Sequence, residues 1–291
     1  MAPHDDILLT VPNVSEGRDE RVIAAIGEAF CASGARLLDV HSDPDHHRTV
    51  YTLAGRHDEI VAALVAGARA CQQHIDLRED RGSHPHVGAL DVAPIVFLDA
   101  ARRGAACAAA LVAGEELGRL GLPVFLYGVL ADGRTRHDIR RGGLSALAER
   151  VAVGEIAPDF GPPAIDPGSG AVLVAARAPL VAFNLELAAP ATVEDARVIA
   201  ALIREGGAEG LPGVRAIGLD LPARAGIAQV STNVEDHRAV RLGEVLEAVM
   251  RHAAVAGCEL VGLAPEAAFA GFPDDVAVRN RRTLEDALSS S

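Results

Sequence analysis

The 291-residue sequence contains no tryptophan, two tyrosines and seven phenylalanines, so aromatics make up only 3% of it. Hydrophobic residues still reach 49%, which leaves alanine, valine and leucine to build a core in which small side chains bring helices close to strands. Positive charge is scarce too: 27 basic against 40 acidic residues give a formal net charge of −13. A field of that sign repels nucleic acid and acidic lipid surfaces. It also repels small anions, so an anionic ligand requires a local cluster of arginines. Cysteine is limited to Cys31, Cys71, Cys107 and Cys258, with no Cys-x-x-Cys pair. Three of the four lie in alanine-rich, helix-like stretches and are expected to be reduced and structural, which suits a cytoplasmic protein. No basic-then-apolar start marks a signal peptide, and no uninterrupted apolar run approaches the length of a membrane span, so a soluble chain is expected.

What is present is an alternation of short apolar runs and helical spacings. Ile7 to Val11 reads as a strand ended by Pro12, and Arg21 to Cys31 as a helix stopped by Gly34. Leu37 to Val40 and Thr49 to Leu53 read as strands with no crossover helix between them, hence antiparallel. Ile60 to Ile75 reads as a helix, Leu90 to Leu98 as a buried strand, Ala101 to Leu117 as a helix and Pro123 to Tyr127 as a strand. From Arg134 to Pro167 the pattern loosens into a functional loop or connector. A similar order then returns: a long strand region from Val172 to Leu187, a helix from Val193 to Glu205, and strands Val214 to Leu219 and Ile227 to Thr232. Leu242 to Ala256 follows as a helix and Leu260 to Leu263 as a short strand. This predicts an α/β (α+β) protein of two subdomains, 1–165 and 166–291, each a mixed sheet covered by helices, with a ligand between them. One doubly wound parallel sheet is the alternative.

Four segments could carry chemistry. His84 sits in a Gly/Pro-bounded loop ahead of a buried strand, and an imidazole there can act as general acid and base near neutral pH; it reads equally as a solvated loop histidine. Between two strands, Arg48 could grip a carboxylate with two parallel hydrogen bonds and Asp39 could orient an imidazole or an amine, or the segment is a polar surface hairpin. These two segments hold His41, His46, His47, His84 and His86, five of the eleven histidines, which raises a metal-dependent amidohydrolase as an alternative. No His-x-x-x-His or His-Glu-x-x-His spacing accompanies them, so no metal is assigned. At the first strand-to-helix passage Ser15 is a candidate N-cap and Asn13 offers a ligand both a donor and an acceptor. The Gly- and Pro-rich run from Asp159 to Gly170 lacks a phosphate-loop ending and could line a pocket for a flat heterocycle, or serve as a linker.

In order, these segments resemble the glutamate formimidoyltransferase (formiminotransferase) family. The matching text is V-P-N-V-S-E-G-R at 11–18, L-L-D-V at 37–40, R-T-V-Y-T at 48–52, H-P-x-x-G-A-L-D-V at 84–92 and V-F-L-Y-G at 124–128. It continues with A-P-D-F-G-P at 157–162, A-F-N-L at 182–185, A-Q-V-S-T-N at 228–233 and E-L-V-G-L-A-P at 259–265. The resemblance implies two α/β subdomains, a homodimer, and transfer of a formimino group from N-formimino-L-glutamate to tetrahydrofolate as co-substrate. Its partners would be small molecules, with neither nucleic acid nor membrane. By resemblance His84 is the acid–base catalyst. Folate binding falls to the loop Gly161, Pro162, Pro163, Ala164, Ile165, Asp166, Pro167, Gly168, Ser169 and Gly170. Residue chemistry adds Arg48 for a glutamate carboxylate, Asp39 to steady the reacting nitrogen or His84, and Asn13 as a substrate contact. The chain ends without a helical cyclodeaminase domain, so the monofunctional form is expected. Ser83 and His86 stand where the family has Glu and Arg around the catalyst, and His47 where Asn is common. His86 therefore occupies a substrate-binding position without the guanidinium fork, which opens the alternatives of another formimino or formyl donor and of a diverged folate-binding paralogue.

Overall fold

The structure is a computed structural model that describes residues 6–79, 86–224 and 226–290. The chain divides into two compact units, Met1–Arg177 and Ala178–Ser291. In the first unit the order is β1 (Leu8–Thr10), β2 (Asn13–Val14), α1 (Glu20–Cys31), β3 (Arg36–Asp43), β4 (Arg48–Gly55), α2 (His57–His74) and β5 (Leu90–Val96). It continues with α3 (Arg103–Arg119), β6 (Val124–Leu126), α4 (Arg136–Arg140), α5 (Gly143–Ala152) and β7 (Val172–Arg177). These strands form a mixed sheet. β3 pairs antiparallel with β4, β4 with both β1 and β2, and β5 and β6 flank β7 in parallel.

Strand alternation gives this sheet two buried faces. Val172, Val174 and Ala176 of β7 point to one core together with Ala93 and Ile95 of β5, Leu53 of β4 and the inner sides of α1, α2 and α3. Leu173 and Ala175 point the other way, to a smaller core that Ile139 of α4 and Leu147 and Val151 of α5 close. The scarcity of aromatics is met as expected: α3 buries Ala106, Ala109, Ala110 and Ala113, and the close approach of α2 to Phe30 is possible only because residue 67 is glycine, where a Cβ would fall 2.0 Å from the ring.

The second unit runs β8 (Val181–Leu187), α6 (Val193–Ile203), β9 (Val214–Leu221), β10 (Ile227–Val234), α7 (Leu242–Met250), β11 (Val255–Val261), β12 (Val278–Arg279) and α8 (Leu284–Ser289). Its sheet has the order β12-β11-β8-β10-β9, antiparallel except for the β11–β12 pair. Phe183 and Leu185 of β8 face α6 and α7 in a separate core. Among the described residues no helix is long and apolar enough to cross a membrane. All four cysteines are free. Burial pushes the Cys71 thiol well above its usual range and that of Cys258 up to about 11, so neither is a reactive thiolate at neutral pH.

The expected pair of α/β units, each a mixed sheet with helices, is present, with three differences. The apolar stretch from Val172 to Leu187 is two strands in two sheets, because Pro179 in the break supplies no N–H to carry a ladder through. β7 therefore completes the first sheet, and the unit boundary falls after Arg177 rather than at 165. The irregular stretch 134–167 contains α4 and α5, too short and too interrupted by Gly142 and Gly143 to show a helical period. A capping box between Thr135 and Asp138 starts α4. Third, α7 stops at Met250; of the residues expected to extend it, 251–254 form a turn and Val255 and Ala256 open β11.

Packing of the β5 approach is tight at Gly88, where a Cβ would lie 1.9 Å from the Ala171 carbonyl oxygen, whereas at Gly104 in α3 nothing lies within 4 Å. Urea denaturation should therefore show Gly88→Ala losing about 2 kcal/mol or more and Gly104→Ala gaining about 0.5 kcal/mol. Equal midpoints for the two variants would contradict this packing.

Candidate functional site

The β3–β4 hairpin sets the first part of the site. Register places Asp39 opposite Thr52, His41 opposite Val50 and Asp43 opposite Arg48, and residues opposite one another project from the same face. Asn13 of β2 lies opposite both Val50 and Val92, so it shares that face, which is the one turned away from α1 and α2. Asn13, Asp39 and Arg48 are thus brought together on one side of one sheet. Asn13 is half-buried, and its Oδ1 is buried with no hydrogen-bond partner among the described residues.

The second part is a bulge. Between Asn13 and Val14 the register against β5 slips by one residue, leaving Asp91 extra between Val92 and Leu90. Its fully buried carboxylate accepts the Val87 N–H at Oδ1 (3.0 Å) and, at Oδ2, both the Arg48 Nη1 (3.1 Å) and the Arg140 Nη2. Burial pushes the Arg48 guanidinium down to about 10; Asp91 opposes this, while the neighbouring guanidiniums of Arg140 and Arg136 add to it. The Arg136 guanidinium stands over the Tyr127 ring, 5.8 Å from its centroid. Arg48, Arg136 and Arg140 therefore make the local arginine cluster that an acidic chain needs for an anionic ligand.

The third part is a set of backbone ties. Ser15 is not the cap of α1; that role belongs to Asp19, whose carboxylate accepts from the N–H groups of Arg21 and Val22. Ser15 instead donates its hydroxyl to the Gly88 carbonyl (2.8 Å) and its N–H to the Ala89 carbonyl (2.9 Å). The Ala89 N–H donates to Ser169 (2.9 Å), the Leu77 N–H to Gly168 (2.8 Å), and Gly88 bridges Gly170. Gly170 adopts φ +73°, and a Cβ there would fall 2.2 Å from the Val87 carbonyl oxygen. Asp166 closes its own turn on the Ser169 N–H and hydroxyl (both 2.8 Å). The 161–170 loop is thus clamped at its end beside the Val87–Ala89 segment, with Pro163, Ala164 and Pro167 exposed, Pro162 half-buried, and Ile165 packing on the α4–α5 core. His86 is half-buried next to the residue whose N–H holds Asp91. His84 lies outside the described residues.

Two histidines of the hairpin, His46 and His47, take structural posts. His46 Nδ1 is 2.8 Å from the Asp43 carboxylate, and His47 Nδ1 accepts the Gly17 N–H (3.1 Å). His47 adopts φ +49°, the left-handed region that asparagine tolerates best after glycine, so the departure from the family pattern at 47 falls on a turn. Among the described residues no three His, Cys, Asp or Glu side chains gather as a metal-binding set. A groove of about 710 Å³ between α1 and β3 is lined by Ile23, Gly27, Leu37 and Val40; none of the expected site residues lines it, and its mainly apolar wall suits no dicarboxylate.

The sequence reading did not single out Asp91, Arg136 or Arg140. A signal existed: Arg134, Arg136, Arg140 and Arg141 concentrate positive charge in a chain short of it. Arg134 is taken by Asp159 and Arg141 by Glu155, which leaves Arg136 and Arg140 for the site. Also unforeseen is the polar face of the second unit. There Glu186 and Glu259, both buried, hold Arg224 (2.7 and 3.2 Å) and Arg279 (2.5 and 3.6 Å), and opposite Glu186 the fully buried Gln229 has no partner for either amide atom among the described residues.

Asp43 yields a pH-dependent prediction. Burial works to raise its carboxyl, but the His46 ring and the N–H groups of His46 and Asp45 outweigh burial and hold it well below the usual range. A depressed carboxylate stabilises the fold above its unfolded pKa of about 4, and that contribution is lost as pH falls from there toward the folded value. Asp43→Asn should unfold more easily than wild type at pH 5, with the difference shrinking by pH 3; a constant gap in urea midpoints across that interval would count against the assignment.

Comparison with known proteins identifies the family. Residues 7–177 match the formiminotransferase domain, N-terminal subdomain, and residues 182–275 the formiminotransferase domain. The chain is 41% identical over 270 residues to the formimidoyltransferase-cyclodeaminase of Sus scrofa, covering 88% of this chain and 49% of that protein. It is 40% identical to the Gallus gallus formimidoyltransferase-cyclodeaminase, over 89% of this chain and 50% of that one. It is 34% identical over 272 residues to the glutamate formimidoyltransferase of Streptococcus pyogenes serotype M1, with 89% of each chain covered. The chain spans about half the length of the two-part relatives. With both subdomain matches in order along it, the chain belongs to the formiminotransferase family.

Proposed function

We propose that the chain transfers the formimino group of N-formimino-L-glutamate to tetrahydrofolate, as a cytoplasmic homodimer serving histidine degradation and one-carbon metabolism. The observation that carries the reading is the gathering of Asn13, Asp39 and the Asp91-anchored Arg48 on one face of one sheet. That gathering suits a substrate with anionic and N–H-rich ends. The orphaned Asn13 Oδ1 fits an amidine or amine N–H, and Arg48 fits a carboxylate.

Tetrahydrofolate, when bound, supplies the nucleophilic nitrogen N5. His84 takes the proton that N5 must lose and returns one to the departing amino nitrogen of glutamate, a task for one imidazole that titrates near neutral pH. Asp39 steadies His84 or the reacting nitrogen. Asn13 and Arg48 fix the donor so that its amidine carbon meets N5 at attack distance, and this orientation supplies much of the remaining rate gain. The residues Gly161, Pro162, Pro163, Ala164, Ile165, Asp166, Pro167, Gly168, Ser169 and Gly170 hold folate; the exposed stretch of that loop, stiffened by Pro162, Pro163 and Pro167, offers a rigid surface for a flat ring. His86 contacts the donor without the fork that an arginine would provide.

An absorbance assay for 5-formimino- or methenyl-tetrahydrofolate tests the reading. His84→Ala should lose turnover by about 10²-fold or more while keeping its affinity for tetrahydrofolate; a near-normal rate would defeat the catalytic assignment. His86→Arg should lower the KM for N-formimino-L-glutamate by roughly tenfold, the worth of one charge-assisted hydrogen bond. An unchanged KM in that variant would remove His86 from the donor site.

A further inference from the structure

Inside the first unit, α4 brings one arginine to a carboxylate that already has a partner and sets a second arginine over the Tyr127 ring. Arg140 reaches Asp91 Oδ2, the oxygen that also accepts from Arg48, and the two arginine side chains keep only 13% and 12% of their exposure. The Nε–H of Arg140 is buried with no hydrogen-bond partner among the described residues. Arg136, one helical turn earlier, has no acidic partner among the described residues, and its charge acts on Arg48 strongly enough to help push that guanidinium down. Beneath Arg136 the Tyr127 hydroxyl is likewise buried with no partner among the described residues. Like charges crowded around a partly desolvated position repel one another, and unpaired buried donors cost free energy, unless an anion completes the set.

We propose that Arg136, Arg140 and the Tyr127 hydroxyl, set beside Arg48 and oriented by Asp91, form the subsite that takes the carboxylates of a dicarboxylate amino acid. The subsite rests on the transferase reading for the identity of its ligand and deepens it, since it assigns two further guanidiniums to the donor. Asp91 is a positioning residue: it fixes the planes of the Arg48 and Arg140 forks and touches no ligand. Guanidinium planes matter here because a carboxylate is gripped by two parallel N–H donors, and an ammonium cannot reproduce that geometry. Tyr127 adds one neutral donor, so a second carboxylate oxygen is bound without a fourth like charge.

The experiment compares wild type with Arg140→Lys, Arg140→Gln and Arg136→Gln. Calorimetric titration with L-glutamate, and with N-formimino-L-glutamate in the absence of folate, reads the subsite without turnover. Steady-state assays then give KM for the donor and for tetrahydrofolate separately. Arg136→Gln leaves Asp91 and its partners in place, so it stays informative if the Arg140 variants fail to fold. Donor affinity should fall by about 10- to 100-fold in Arg136→Gln and Arg140→Gln, and nearly as far in Arg140→Lys, with the KM for tetrahydrofolate changed by less than about twofold. Unaltered dicarboxylate binding in folded variants, no dicarboxylate binding to wild type, or a loss confined to the folate KM would overturn the subsite. Wild type that binds the dicarboxylates but transfers no formimino group would remove the transferase reading and leave the subsite standing.

Discussion

One carboxylate, that of Asp91, organises the first unit. It has no exposure, it takes a backbone N–H from Val87, and it faces guanidiniums from β4 and from α4. β4 and α4 come from parts of the chain distant from Asp91, and the side chain that joins them projects from a bulge rather than from the regular pleat. A buried ion pair of this kind is a poor device for stability, since apolar residues of the same volume often do as well or better. It is a good device for fixing where two planar cations point. Removing either side leaves an unpaired buried charge, so the arrangement enforces its own geometry.

The surrounding architecture serves that geometry. Ser15 ties the β2 segment to Gly88 and Ala89, and Ser169 and Gly170 hold the same stretch from the other side, where two glycines allow backbones to meet. Gly17 lets the 15–18 segment lie against the hairpin, since a Cβ there would come within 2.3 Å of the Asp43 carbonyl oxygen. A chain with a net charge of −13 then presents a small anion with a half-buried place where arginines outnumber the carboxylate between them. The global charge works against non-specific anion binding, while the local cluster selects for it.

Much of this was legible in the sequence. Helical spacing located α1, α2 and α3, and the missing crossover between residues 40 and 49 announced the antiparallel hairpin that carries Asp39 and Arg48. Ordered motifs pointed to the family. Less was legible where a residue's role depends on partners distant in the chain. Asp91 reads as one polar position in an apolar strand until the bulge and Arg140, 49 residues away, are seen together. The helices α4 and α5 are shorter than the window in which periodicity becomes evident, so the arginines on α4 looked like loop charges. Ser15 looked like a cap because caps are read from residue type next to a helix start, and Asp19 satisfies the same rule four residues on.

A double-mutant cycle between Asp91 and Arg140 probes the organising interaction most directly. Asp91→Ala, Arg140→Ala and the double variant would be unfolded in urea beside wild type. Removing the second partner should cost far less once the first is gone, with a coupling energy of about 2 kcal/mol or more. Additive losses, with a coupling within about 0.5 kcal/mol of zero, would contradict the claim that this carboxylate holds the guanidiniums in place.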